Sequence, residues 1–146
     1  MKTDTDTSLP VNRRNAVAAI VSGALGLGAA SSAEAAYGIN QIPTLMSLSL
    51  STSTARRGTY VTATARLTRL DNGAGVQSAA ISFFFGTPTY PNSRVGTSVY
   101  TDASGYARCS FMVSSWATAG RNIVMAEFTG NNMFAQPLPN AALTVQ

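Results

Sequence analysis

From residue 44 onward, apolar and polar side chains alternate one by one in short runs, and no other feature constrains the fold of this chain as much. Met46, Leu48 and Leu50 alternate with Ser47, Ser49 and Ser51, and Val61, Ala63, Ala65 and Leu67 alternate with Thr62, Thr64 and Arg66. A period of two puts every second side chain on one face of an extended strand, whereas a helix would scatter the same apolar residues around its circumference. The pattern recurs. Ala80–Phe85 puts Ile81, Phe83 and Phe85 on one face and Ser82 and Phe84 on the other. Val95–Tyr100 reads as a further run, and Tyr106–Val113 turns Ala107, Cys109, Phe111 and Val113 inward. Asn122, Val124, Ala126 and Phe128 do the same, and Leu143 and Val145 belong to a last strand.

Turn chemistry separates these runs. Asp71-Asn-Gly-Ala-Gly75 and Gly130-Asn-Asn offer residues that readily take positive φ. Asp102-Ala-Ser-Gly105 joins two runs as a hairpin, Gly86–Asn92 is a loop, and Ser114–Gly120 is a corner that holds Trp116. Ala55–Gly58 reads as a turn, and Phe134 as a plug for the core. About seven short strands at this spacing predict an all-β, two-sheet antiparallel sandwich over residues 44–146.

The composition excludes several chemistries. Among 146 residues there is no His and one Cys, so neither a hydrolase with a His base nor a His-bearing metal site can be assembled. A single thiol also rules out an internal disulfide. Charged residues make up only 11% of the chain, well below the ordinary quarter of a globular domain. Thr, Ser, Gly and Ala take their place, as in exported β proteins.

Residues 1–35 read as an export signal. A polar stretch ends in Arg13 and Arg14, a 15-residue apolar run covers Ala16–Ala30, and Ala33-Glu34-Ala35 fits an A-x-A cleavage site. The run is shorter than the roughly 20 residues a spanning helix needs and is diluted by Gly23, Gly26 and Gly28, so no membrane span is expected after cleavage. The arginine pair resembles signals of the twin-arginine exporter. Asn12, Ala16 and Val17 depart from that motif, so the general secretory route stays open. Cleavage leaves 111 residues beginning at Ala36, with 36–43 as an extension before the sandwich. The expected location is periplasmic, cell-surface or extracellular.

In order along the chain, Gly58-Thr-Tyr-Val-Thr-Ala-Thr-Ala65, Gly96-Thr97, Asp102-Ala-Ser-Gly-Tyr-Ala107, Ala119-Gly120, Ala126-Glu-Phe-Thr-Gly-Asn-Asn-Met-Phe-Ala135 and Ala142-Leu-Thr-Val145 carry a family resemblance. Residues 44–145 resemble the bacterial immunoglobulin-like repeat domains of surface proteins. The resemblance implies an immunoglobulin-like sandwich with no catalytic motif and no cofactor, acting in cell-surface structure, adhesion or protein association. Such domains usually occur in tandem arrays. One copy after a leader points away from a spacer role.

The 36–146 portion holds seven arginines, at 56, 57, 66, 69, 94, 108 and 121, against Asp71, Asp102 and Glu127, a balance of +4. Apart from Arg56-Arg57 they are scattered singly, which reads as a solubilising surface and not as a nucleic-acid interface. The three carboxylates would have to converge in pairs to make a glycosidase or calcium site, and Asp71 and Asp102 fall in Asx-type turns. Cys109 reads as a buried, inert thiol.

The partner expected from this reading is a protein or a second copy. By alternation, if Phe83 and Val124 face the core, Phe84, Ile123 and Met125 face outward. The immunoglobulin-like sandwich that the resemblance implies makes their strands neighbours, so the three form one patch unless a loop or the 36–43 segment covers it. The alternative is a small ligand, most plausibly a surface glycan, stacked on the loop aromatics Tyr90 and Trp116.

Overall fold

The structure is a computed structural model that describes residues 23–24, 29–34, 41–89, 93–129, 131 and 133–146. Among them eleven strands form and no helix: β1 (Gly23–Ala24), β2 (Ala29–Glu34), β3 (Thr44–Leu50), β4 (Thr54–Ala55), β5 (Tyr60–Arg69), β6 (Ala80–Gly86), β7 (Ser93–Arg94), β8 (Val99–Tyr100), β9 (Tyr106–Met112), β10 (Gly120–Phe128) and β11 (Asn140–Val145). They make two sheets. One runs β1-β2-β3-β5-β9; the other runs β4-β11-β10-β6-β7, with β8 also paired to β6. The chain is therefore an all-β sandwich, as the alternation predicts.

The side chains show why the sheets face each other. On β3 and β5 the residues at every second position are buried, and Met46, Leu48, Ala63, Ala65 and Leu67 have no exposed surface. β6 and β10 return the same pattern from the opposite layer with Ile81, Phe83, Phe85, Val124 and Ala126. Each of the larger side chains, Leu, Ile, Val, Phe and Met, gains roughly 1.5–3 kcal/mol on burial, so the inner faces supply the main cohesion. At the centre, Phe85 packs against Phe111 with ring centroids 5.5 Å apart at 38°. Phe134 is half-buried against this core, as expected.

Five features depart from the sequence reading. The turn Asp102–Gly105 closes no hairpin: β8 pairs with β6 in one sheet and β9 with β5 in the other, so the turn carries the chain between the sheets. Residues 95–100 are not one strand: Gly96, at φ 71, turns the chain between β7 and β8, and the two short pieces pair with opposite ends of β6. Ala55, read as the start of a turn, forms β4 with Thr54, and this strand pairs with β11 in parallel, so the sheet is not purely antiparallel. The Asx turn after β5 is made by Asn72, whose Oδ1 accepts the Ala74 amide at 2.9 Å, and not by Asp71. Finally, β2 lies within the stretch read as a leader and pairs antiparallel with β3, Ser31 opposite Leu48 and Ala33 opposite Met46. Arg13, Arg14 and Ala35 lie outside the described residues, as does most of the apolar run. No helix among the described residues is long and apolar enough to cross a membrane.

Candidate functional site

The outward face of β6, β10 and β11 carries the residues that the alternation left without a place in the core. Met125 lies directly opposite Phe84, and Ile123 lies opposite Gly86. Ile123 and Phe84 are therefore diagonal neighbours on the ladder, a separation that an aromatic ring can bridge. On the other flank of β10, Ala142 faces Ile123 and Asn140 faces Met125. Phe84, Ile123 and Met125 are each half-buried, so they form one low apolar ridge.

Polar groups rim this ridge. Arg94 lies opposite Phe84 on β7. Its guanidinium donates to Ser82 Oγ at 3.2 Å and also to Ser98 Oγ, which holds the long side chain along the sheet. Glu127, opposite Ser82, accepts a hydrogen bond from Gln136 Nε2 at 3.3 Å. An apolar centre with a charged rim is the usual anatomy of a protein contact surface.

The loop aromatics fare differently. Trp116 is 55% exposed, yet one side of its indole rests on Phe85, with ring centroids 5.8 Å apart at 41°. It caps the core and keeps a free face toward solvent. Tyr90 lies outside the described residues.

The three carboxylates each have a local partner. Asp71 accepts from Arg69 Nε at 3.0 Å and Nη2 at 2.6 Å. That bidentate hydrogen bond, and then the arginine's charge, hold the Asp71 carboxyl below its ordinary range and raise the Arg69 guanidinium. Asp102 accepts from the Ser104 and Tyr106 amides, both at 2.9 Å, and so fastens the turn that carries the chain from β8 in one sheet to β9 in the other. Among the described residues no three His, Cys, Asp or Glu side chains gather as a metal site.

Cys109 is buried, and burial pushes its thiol above the ordinary range. Its surroundings are less apolar than the sequence implies, because Sγ lies 3.6 Å from the Val95 carbonyl oxygen.

One surface group was missed in the sequence. Arg66 and Arg108 flank the Tyr106 ring, with guanidinium carbons 5.1 and 5.7 Å from its centroid. The pairing of β5 with β9 sets Arg66 opposite Tyr106, and Arg108 follows Tyr106 two residues on along the same face. The spacing of Tyr106 and Arg108 was visible; the register that brings Arg66 beside them was not. No known protein family and no curated protein matches this chain.

Proposed function

We propose that this chain is an exported, non-catalytic module of the bacterial immunoglobulin-like surface type, acting in cell-surface structure, adhesion or protein association. The observation that carries the reading is the apolar ridge of Phe84, Ile123 and Met125 on neighbouring strands, rimmed by Arg94 and Glu127. Exposed contiguous apolar surface tends to mark an interface. The ridge engages another protein, with the rim charges setting orientation and encounter rate. Residues 1–35 serve as the export signal in this reading, and the working species begins at Ala36.

Phe84→Ser with Met125→Ser tests it. Both substitutions lie on the outer face, so the fold is retained with a modest drop in melting temperature while attachment to the exporting cell is lost. Wild-type attachment by the double variant would remove the ridge from consideration. The half-free indole of Trp116 favours a second reading, a surface-glycan site at that corner. Quenching of Trp116 fluorescence by a glycan, with attachment insensitive to the Phe84 and Met125 changes, would favour that reading over the first.

A further inference from the structure

The edge of β3 separates the two states of this chain that the export reading implies. In the full chain β2 covers it: Ser31, Ser32, Ala33 and Glu34 pair with Leu48, Ser47, Met46 and Leu45, and Ser31 Oγ also donates to the Asn140 carbonyl at the start of β11. Cleavage after Ala35 would remove the whole of β2. Among the described residues the buried apolar cluster runs from Met46 to Val145, so cleavage would take no member of it.

The backbone groups that cleavage would release can be named. Pro43 O accepts from the Leu70 amide and the Ser51 amide donates to Thr62 O, so odd-numbered residues of this segment bond toward β5. Ile42 bonds the other way, donating to Met133 O and accepting from the Ala135 amide. By alternation the amides and carbonyls of Met46 and Leu48 point away from β5, toward β2, whereas the Thr44 end of the edge is held by the 133–135 segment, whose Ala135 carbonyl accepts from Thr44 Oγ1 at 2.9 Å.

Edges of this kind are normally guarded by charge, proline or a bulge. Those guards stand on the other edges. β9 carries Arg108, and the Val95 carbonyl approaches its Cys109; β7 carries Arg94; β4 is two residues long and runs into Arg56-Arg57. β3, Thr-Leu-Met-Ser-Leu-Ser-Leu, has seven residues and no charge, proline or glycine.

We propose that processing exposes β3 as the interface for a second copy of the chain, the two β3 strands pairing antiparallel about a two-fold axis at Ser47. The sequence fits itself in that register. Met46 of one copy faces Leu48 of the other and Leu45 faces Ser49, so buried and outward faces continue across the axis and the Met46 and Leu48 amides fall in hydrogen-bonded pairs. The result is a continuous sheet through both copies with their unguarded edges closed. This inference rests on the cleavage assigned above and is independent of the Phe84 ridge.

The test compares the processed protein, recovered after export with its mass verified, with the full chain whose cleavage is blocked. Sedimentation equilibrium and amide hydrogen exchange are read over a range of concentrations, with thermal melts as a check of folding. The blocked chain should stay monomeric with the Met46 and Leu48 amides protected. The processed chain should dimerise and gain protection at those two amides as concentration rises. Leu45→Lys with Ser49→Lys sets like charges opposite each other twice across the axis and should raise the half-dimerisation concentration about tenfold. Ser47→Cys should form a disulfide-linked dimer on mild oxidation. A processed chain that is folded yet monomeric at every concentration overturns the proposal. So does a dimer that ignores the lysine pair and is broken by Phe84→Ser with Met125→Ser, since it would place self-association on the ridge.

Discussion

Thr101 shows how much of this fold depends on single buried polar groups. Its hydroxyl donates to the Val76 carbonyl at 2.6 Å and accepts the Ala79 amide at 2.9 Å, and its own amide donates to Ala79 O. One side chain thus closes the loop between β5 and β6 against the start of the turn from β8 to β9. Thr101→Val keeps the shape and strands two backbone groups, so a loss of about 1–3 kcal/mol is expected in denaturant unfolding, with Thr101→Ser restoring most of it. Gly105 is a second such point. It sits at φ 84, and a Cβ there would come within 2.2 Å of the Leu67 carbonyl oxygen. Gly105→Ala should cost at least about 1–2 kcal/mol from the left-handed backbone alone. Cys109 gives a pH signature. Burial raises the folded thiol above its ordinary value of 9.0, so the unfolded chain ionises first. Stability is then complete below that value and falls as pH rises through it toward the folded value. Cys109→Ser should abolish this alkaline decline. Because the Val95 carbonyl can receive the new hydroxyl, the cost should be only about 1 kcal/mol, at the low end for a buried polar change.

At the scale of the element, β6 carries the sharpest contrast. Phe83 is fully buried and its neighbour Phe84 faces outward. Phe83→Ala should cost about 3–5 kcal/mol, while Phe84→Ala costs a fraction of that. Similar melting temperatures for the two variants would show that the register of β6 is wrong. This alternation was legible in the sequence because period two is a local signal, and it placed Phe84, Ile123 and Met125 outward on strands that do prove to be neighbours. Where the reading failed, the cause was non-local or hidden by composition. The parallel pairing of β4 with β11 joins Thr54 to Thr144 across most of the domain, and nothing within two residues at 54–55 announces it. β2, Ala-Ala-Ser-Ser-Ala-Glu, has small residues with no apolar alternation, so it reads as a cleavage region and not as a strand. The 95–100 run was broken by a glycine turn that apolar spacing alone conceals. Of the surface groups, the ridge followed from alternation, whereas the flanking of Tyr106 by Arg66 required the register of β5 on β9.

The whole molecule divides into a core that holds itself together and surfaces without a role in that core. Two sheets bury their inner faces with no internal disulfide, since the chain has one Cys, and the interior leaves one buried polar atom, Asn122 Oδ1, without a partner among the described residues. Export is proposed to act on this unit by removing residues 1–35. Intact mass of the exported species should correspond to a chain beginning at Ala36, and retention of residues 1–35 would refute the signal reading. The central claim, that the β6–β10 face engages a partner, is tested most directly by site-specific photo-crosslinking in exporting cells. A benzoylphenylalanine at position 84 is predicted to give a discrete heavier adduct on illumination, and the same probe at Thr64, outward on the opposite sheet, to give none. No adduct from position 84, or adducts only from position 64, would contradict the account.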